Sequence, residues 1–274
     1  MPNITETPVI QKNETKISRS AVAMNSVHQP FLAVIDNSSS MLATENGGTK
    51  TNLQLAEELV NLIGSDPRLS YDIQQTIDFA VLNFHDVVEV RQNWIPLSQF
   101  ERNIKIPDGG CTAFYEAVIQ SLLACKGLFE TYKLNGLTCK RPQIFLFTDG
   151  YPTDDGNFDR AKKLCEKYLD GESPKCRLHV ILLPGASDKA AKSLSSNIRT
   201  YLTKDCTHGL PTALDFINSS IVSFSSAAVG DQVTLKMDAK YMTGGSRFGH
   251  LSGGKFRMSE TVSETDLSDN YTFA

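Results

Sequence analysis

Largely apolar runs punctuate the chain at Phe31–Ile35, Ile144–Phe147 and Arg177–Leu183, the last interrupted by His179. They are short and contain no polar alternation, which suits strands buried on both faces of a parallel sheet. Between them the apolar positions change to helical spacing. Leu53, Ala56, Leu59, Val60 and Ile63 recur every three or four residues before Gly64, and Phe114, Val118, Leu122, Cys125, Phe129 and Tyr132 mark a second helix. A third helix is predicted from Phe158 to Leu169, with the acidic loop at Asp154 and Asp155 capping it. A last one runs from Pro211 to about Phe224 through Leu214, Phe216, Ile217 and Ile221. Thr76–Phe84 and Val87–Trp94 flank His85-Asp86 and read as a hairpin, with His85 an exposed turn residue. After Pro184-Gly185-Ala186-Ser187 come a weakly amphipathic helix and a short strand near Thr200–Thr203. The alternation of strand and helix predicts an α/β protein with a parallel sheet.

The pattern fades at both ends. Residues 1–28 carry Thr, Asn, Glu and Lys with few large apolar groups and are expected to form a flexible arm. From Ala227 the chain thins into polar, Gly-containing sequence, so 29–228 is read as one domain and 229–274 as a disordered or accessory tail. The tail from Ser259 to Ala274 combines Glu260, Glu264, Asp266 and Asp269 with six Ser or Thr hydroxyls and no Lys or Arg, a composition that suits either a kinase substrate or a solvated terminus with no role.

Composition narrows the functional classes. With 27 basic against 31 acidic residues the net charge is −4, which provides no global basic field for nucleic acid or an anionic membrane. No apolar stretch reaches membrane-spanning length and the first residues lack a signal-peptide core, so a cytoplasmic location is expected. Cys111, Cys125, Cys139, Cys165, Cys176 and Cys206 are scattered, without the close pairs of a zinc site or the density of a disulfide scaffold, and read as reduced thiols.

Chemistry concentrates where the first apolar run ends. Asp36-Asn37-Ser38-Ser39-Ser40 offers one carboxylate and two hydroxyls from alternate positions at the carboxyl end of a strand, the edge at which open α/β sheets bind ligands. These are hard oxygen donors with no His or Cys among them, a set that selects Mg²⁺, with Mn²⁺ or Ca²⁺ as substitutes, over zinc. Two further stretches carry matching chemistry. Gly109-Gly110-Cys111-Thr112 opens a helix, and Phe147-Thr148-Asp149-Gly150 ends a second buried strand in Asp.

In order and spacing these three stretches resemble the von Willebrand factor A (VWA) domain, over about Gln29 to Ala228. The resemblance implies a doubly wound, Rossmann-like, mostly parallel sheet with one antiparallel edge strand and helices on both faces. It also implies a metal-ion-dependent adhesion site, with Asp36, Ser38, Ser40, Thr112 and Asp149 as metal ligands. The run Phe147–Asp154 and the segment Ile217–Ser223 look like the bacterial stand-alone VWA domains associated with tellurite resistance, the TerY-like type. Those relatives imply a cytoplasmic scaffold beside kinase-like and PP2C-type phosphatase proteins. With two Asp carboxylates balancing the ion and three hydroxyls as neutral donors, the metal would keep electrophilic character, and a partner's Glu or Asp is expected to complete its shell. Two departures stand out: Ser39 replaces the Gly common between the two serines, and Cys111 separates the glycines from Thr112. If position 39 needs a positive φ, Ser39 weakens metal affinity.

A magnesium-dependent phosphotransferase with Asp36 as nucleophile is the competing class. Such an enzyme needs a general acid and a phosphate clamp. The chain has no Asp-x-Asp after the first strand, no Walker-type phosphate loop and no Gly-x-Ser-x-Gly elbow, so a non-enzymatic binding module is the preferred expectation.

Overall fold

The computed structural model describes residues 26–44, 49–171, 175–226, 234–235, 240–244 and 260–261. In chain order its main strands are β1 Gln29–Asp36, β2 Ile77–Phe84, β3 Val88–Pro96, β4 Gln143–Thr148, β5 Arg177–Leu182 and β6 Arg199–Thr203. Three short ones follow, β7 Thr234–Leu235, β8 Met242–Gly244 and β9 Glu260–Thr261. Seven of these form a central sheet in the order β3-β2-β1-β4-β5-β6-β8, while β7 and β9 pair as a separate two-stranded ribbon. The helices are α1 Asn52–Leu62, α2 Tyr71–Thr76, α3 Phe114–Leu134, α4 Phe158–Cys165, α5 Lys189–Leu194 and α6 Cys206–Ser226.

Period-two alternation along the buried strands sorts the core into two layers. Phe31, Ala33 and Ile35 of β1 face one layer, where Leu53, Leu59 and Val60 of α1 meet Phe216, Ile217 and Ile221 of α6. Leu32 and Val34 face the other, built on Phe114, Val118 and Leu122 of α3 with Leu164 of α4 and Ala191 of α5. β1 pairs in parallel with both β2 and β4. From β1 the chain winds outward through β2 to the antiparallel β3, then returns to the other side of β1 at β4. The fold is therefore doubly wound, with its topological switch between β1 and β4, and the carboxyl ends of those two strands frame the crevice where such sheets bind ligands.

Four details differ from the pattern read in the sequence. Helix α6 begins at Cys206, with Pro211 inside it. Asp205 starts it, since its Oδ1 accepts from His208 N at 2.6 Å and its carbonyl accepts from Gly209 N at 3.0 Å. Helix α4 is regular only to Cys165 and continues as a π-turn over Glu166–Gly171. The six-residue α2 was not legible; Ser70 Oγ caps it by accepting from Ile73 N at 3.3 Å. At the ends, His28 is fully buried, with its N–H bonded to Thr138 O at 2.8 Å and its Nδ1 3.2 Å from Asp78 Oδ2. Beyond residue 228, Met242 is buried in the core and β8 pairs antiparallel with β6, so ordered sheet extends past the boundary drawn from composition. The arm over residues 1–25 and most of the acidic tail lie outside the described residues. No described helix is long and apolar enough to cross a membrane.

Candidate functional site

Asp36 is the last residue of β1 and is fully buried. Its Oδ1 accepts from Ser38 N at 2.9 Å, which folds the chain back over the strand end. Its Oδ2 accepts from Thr148 Oγ1 at 2.6 Å, and that hydroxyl in turn accepts from Gly150 N at 2.9 Å. One bonded series thus joins the carboxyl ends of β1 and β4. Ser38 Oγ and Ser40 Oγ lie 3.1 Å apart, Ser38 buried and Ser40 exposed. The 3-10 turn Ser39–Leu42 holds them, anchored by Met41 in the core.

Asp149 follows β4 and is half-buried, with its Oδ1 sealed from solvent and without a hydrogen-bond partner. Burial above all, with a smaller contribution from the charge of Asp149, pushes the Asp36 carboxyl up to about 6 against the opposing hydrogen bonds from Ser38 and Thr148. Two carboxylates therefore share a desolvated corner, and Asp149 Oδ1 lacks the partner that buried oxygens ordinarily have.

Thr112 is buried at the mouth of α3. Its N–H donates to Thr153 Oγ1 at 3.0 Å, and its carbonyl accepts from Thr153 N at 2.9 Å. The loop before it is tied to the Asp36 loop, because Ser39 N donates to Gly110 O at 2.9 Å and Gly109 N donates to Asn37 O at 2.8 Å. The five sequence-derived residues are thus carried on three loops of one edge. Direct hydrogen bonds link Asp36 to the Ser38–Ser40 segment, while Thr112 is joined through its loop backbone.

The two glycines act through their lack of a side chain. Neither Gly109 nor Gly110 has a positive φ; a Cβ on Gly109 would lie 2.4 Å from His85 Cβ and 2.7 Å from Asn37 O, and one on Gly110 would lie 2.3 Å from Asp86 Oδ2. They permit close approach and not an unusual backbone. Ser39 also avoids positive φ, a conformation found among the described non-glycine residues only at Arg102. Its hydroxyl instead donates toward Gly109 O and Gly110 O, both at 3.1 Å. The backbone penalty envisaged for Ser39 is therefore absent.

Two corrections and one agreement concern neighbours of the site. Asp154 caps α3 and not α4, accepting from Tyr115 N at 3.2 Å and from Glu116 N at 2.8 Å. His85 is mostly covered, with its Nδ1 3.3 Å from Asp86 Oδ2. Cys111 is exposed, its N–H bonded to Asp86 Oδ1 at 3.2 Å, while the other five cysteines are buried, and none is in a disulfide.

Sequence reasoning missed Thr148 and Asn37. Thr148 was legible only as a strand residue, although it sits beside Asp149 in the motif itself. Asn37 is buried and bonds to Pro107 O and Asn83 Nδ2, at 2.8 and 2.9 Å, which no local pattern signals.

The oxygen set fits a hard divalent cation on chemical grounds, with two carboxylates to balance the charge and three hydroxyls as neutral donors. Among the described residues no three His, Cys, Asp or Glu side chains are grouped to hold a metal, so a cation here would rely on those hydroxyls.

No protein-family profile matches the chain and no curated protein matches it. Solved structures do. The PilB minor pilin from Streptococcus sanguinis aligns at TM-score 0.50 with 12% identity, over 74% of this chain and 64% of the pilin. The ArnB paralog VWA2 from Sulfolobus acidocaldarius aligns at 0.45 with 22% identity, over 70% of this chain and 46% of that one. The conserved hypothetical protein BatB from Bacteroides thetaiotaomicron aligns at 0.45 with 16% identity, over 72% and 98%. The chain thus spans about two thirds of the pilin and under half of the archaeal protein. At 12% identity, the likeness to the pilin shows a shared fold.

Proposed function

We propose that this chain is a VWA-type protein-binding module without catalytic activity of its own. Asp36, Ser38, Ser40, Thr112 and Asp149 would hold one divalent cation, Mg²⁺ in the first place, with Mn²⁺ or Ca²⁺ as alternatives. When bound, the cation would supply an electrophilic position for one further oxygen ligand, the carboxylate of a protein partner's Glu or Asp. The chain's own residues set up that position: Thr148 and the Ser38 N–H orient Asp36, Asn37 fixes the loop, and Thr153 fixes Thr112.

The observation that carries this reading is Asp149 Oδ1, buried without a partner at the same sheet edge as the buried Asp36. A cation would provide the missing interaction. The phosphotransferase alternative is disfavoured because the chain has no Asp-x-Asp at the first strand, no phosphate loop and no nucleophile elbow of the kinds such an enzyme needs. On the TerY-like resemblance, the module would act as a cytoplasmic scaffold linked to kinase-like and PP2C-type phosphatase partners in a stress response.

Calorimetric titration of wild type with Mg²⁺ and Mn²⁺, beside folded Asp36→Ala and Asp149→Ala variants, tests the site. Binding by wild type alone is expected; equal binding by all three discards the assignment. Pull-downs with and without EDTA then test whether partner capture depends on the cation.

A further inference from the structure

Five of the loops at the carboxyl edge share two features. Their exposed apolar groups come from separate loops: Val87, 53% exposed, from the β2–β3 turn, and Tyr151, 61% exposed, from the loop after β4. Tyr151 is held in place, its hydroxyl donating to Gly185 O at 3.1 Å in the next loop. Leu42, at the end of the metal-loop turn, is exposed as well. Isolated exposed apolar residues are ordinary, but a set on adjoining loops around one crevice marks an interaction surface.

Charge indicates what the surface fits. The described loop residues 37–44, 85–87, 107–113, 149–157 and 183–188 contain Asp86, Asp108, Asp149, Asp154, Asp155 and Asp188 and no Lys or Arg. Asp154 is committed to capping α3 and Asp188 is paired with Lys192. Asp86, Asp108 and Asp155 are exposed. The loops are contiguous through Ser39–Gly110, Ala113–His85, Thr112–Thr153 and Tyr151–Gly185 bonds. Even with a divalent cation balancing Asp36 and Asp149, these five loops keep a net negative charge, and a uniformly acidic ligand would meet like charges on them.

We propose that the partner is a protein that presents its single acidic anchor within a basic surface, with Lys or Arg side chains meeting Asp86, Asp108 and Asp155 and an apolar side chain meeting Val87 and Tyr151. This rests on the metal-site reading above and adds the chemistry of what surrounds the anchor. Unlike charges would steer the encounter, and like charges would reject acidic competitors that carry the same anchor.

The test uses the full chain and two fluorescent peptides, each with one Glu and one Leu at the same positions, flanked by Lys in one and by Asp in the other. Fluorescence anisotropy is measured with Mg²⁺ and with EDTA. The expected result is preferential binding of the Lys-flanked peptide in Mg²⁺, weakened several-fold by Asp108→Asn/Asp155→Asn, which touches no proposed metal ligand, and by raised salt. Equal binding of both peptides, preference for the Asp-flanked one, or binding of neither up to about millimolar peptide overturns the proposal. Lys-flanked binding that survives EDTA and Asp36→Ala, yet falls with Asp108→Asn/Asp155→Asn, upholds the basic-partner surface and removes the metal reading instead.

Discussion

Thr148 Oγ1 donates to Asp36 Oδ2 at 2.6 Å while accepting from Gly150 N at 2.9 Å, so a single hydroxyl sets the Asp36 carboxylate and the turn that carries Asp149. Thr148→Val keeps the shape and β-branching but removes the bond to a buried charge. The expected cost is about 1–3 kcal/mol in urea unfolding without metal. Mg²⁺ affinity by calorimetry should fall by roughly tenfold or more, as when residues that orient metal ligands are removed. Unchanged affinity would mean that Thr148 does not position the site.

Asp154 reaches across from the loop after β4 to the first turn of α3, where Ala113 stands at the cap position and has no side-chain acceptor to offer. Asp154→Ala leaves two N–H groups without their acceptor and removes a negative charge from a helix N-terminus. A loss of about 1–2 kcal/mol is expected. Asp155→Ala, at an exposed neighbour, should stay within about 0.5 kcal/mol. If the two variants unfold alike, the cross-loop cap contributes little.

These two residues show where the sequence was readable. Strand runs such as Phe31–Ile35 and the periodic α1 and α3 could be placed because burial on one or both faces imposes a local period. Asp36, Ser38 and Ser40 could be grouped because five consecutive residues of one short loop carry all three oxygen donors, and Ser38 Oγ and Ser40 Oγ do lie 3.1 Å apart. Asp154 could not be assigned correctly: a capping carboxylate has the same sequence signature before α4 as before α3, and only tertiary structure selects the helix. Strand β8 was hidden for a related reason. Three residues on a sheet edge carry too short a pattern to recognise, although Met242 is fully buried.

His179 lies in the α1/α6 layer, stacked on Phe145 with a centroid distance of 4.7 Å, and its nitrogens lie 3.1 Å from Tyr201 Oη and from Gln143 Oε1. Burial, aided by the charges of Arg199 and Arg177, holds it well below its ordinary value of 6.5. The unfolded chain therefore binds a proton that the folded one refuses. The stability His179 contributes is complete above 6.5 and lost as pH falls toward the depressed folded value, at up to about 1.4 kcal/mol per pH unit. Urea unfolding at a series of pH values should show this slope in wild type, and subtraction of a His179→Phe series should isolate it. Parallel pH curves would refute the assignment. The variant itself should be less stable at neutral pH, since Tyr201 and Gln143 lose their partner.

Gly109 and Ser39 make opposite predictions about the same junction. At Gly109 the space for a side chain is already taken, since an alanine methyl there would stand 2.4 Å from His85 Cβ and 2.7 Å from Asn37 O. Gly109→Ala must push the loop carrying Thr112 away from the loop carrying Ser38 and Ser40. A cost of about 1–3 kcal/mol is expected, together with weaker Mg²⁺ binding. At Ser39, by contrast, a Gly would relieve no strain, because the backbone is already in an ordinary region, and it would lose the hydroxyl bonds to Gly109 O and Gly110 O. Ser39→Gly should therefore leave metal affinity equal or lower, with a loss of about 0.5–1 kcal/mol from added backbone freedom. Higher affinity in Ser39→Gly would show that the loop must pass through a conformation that Ser resists, and that the geometry seen here is not the one that holds the cation.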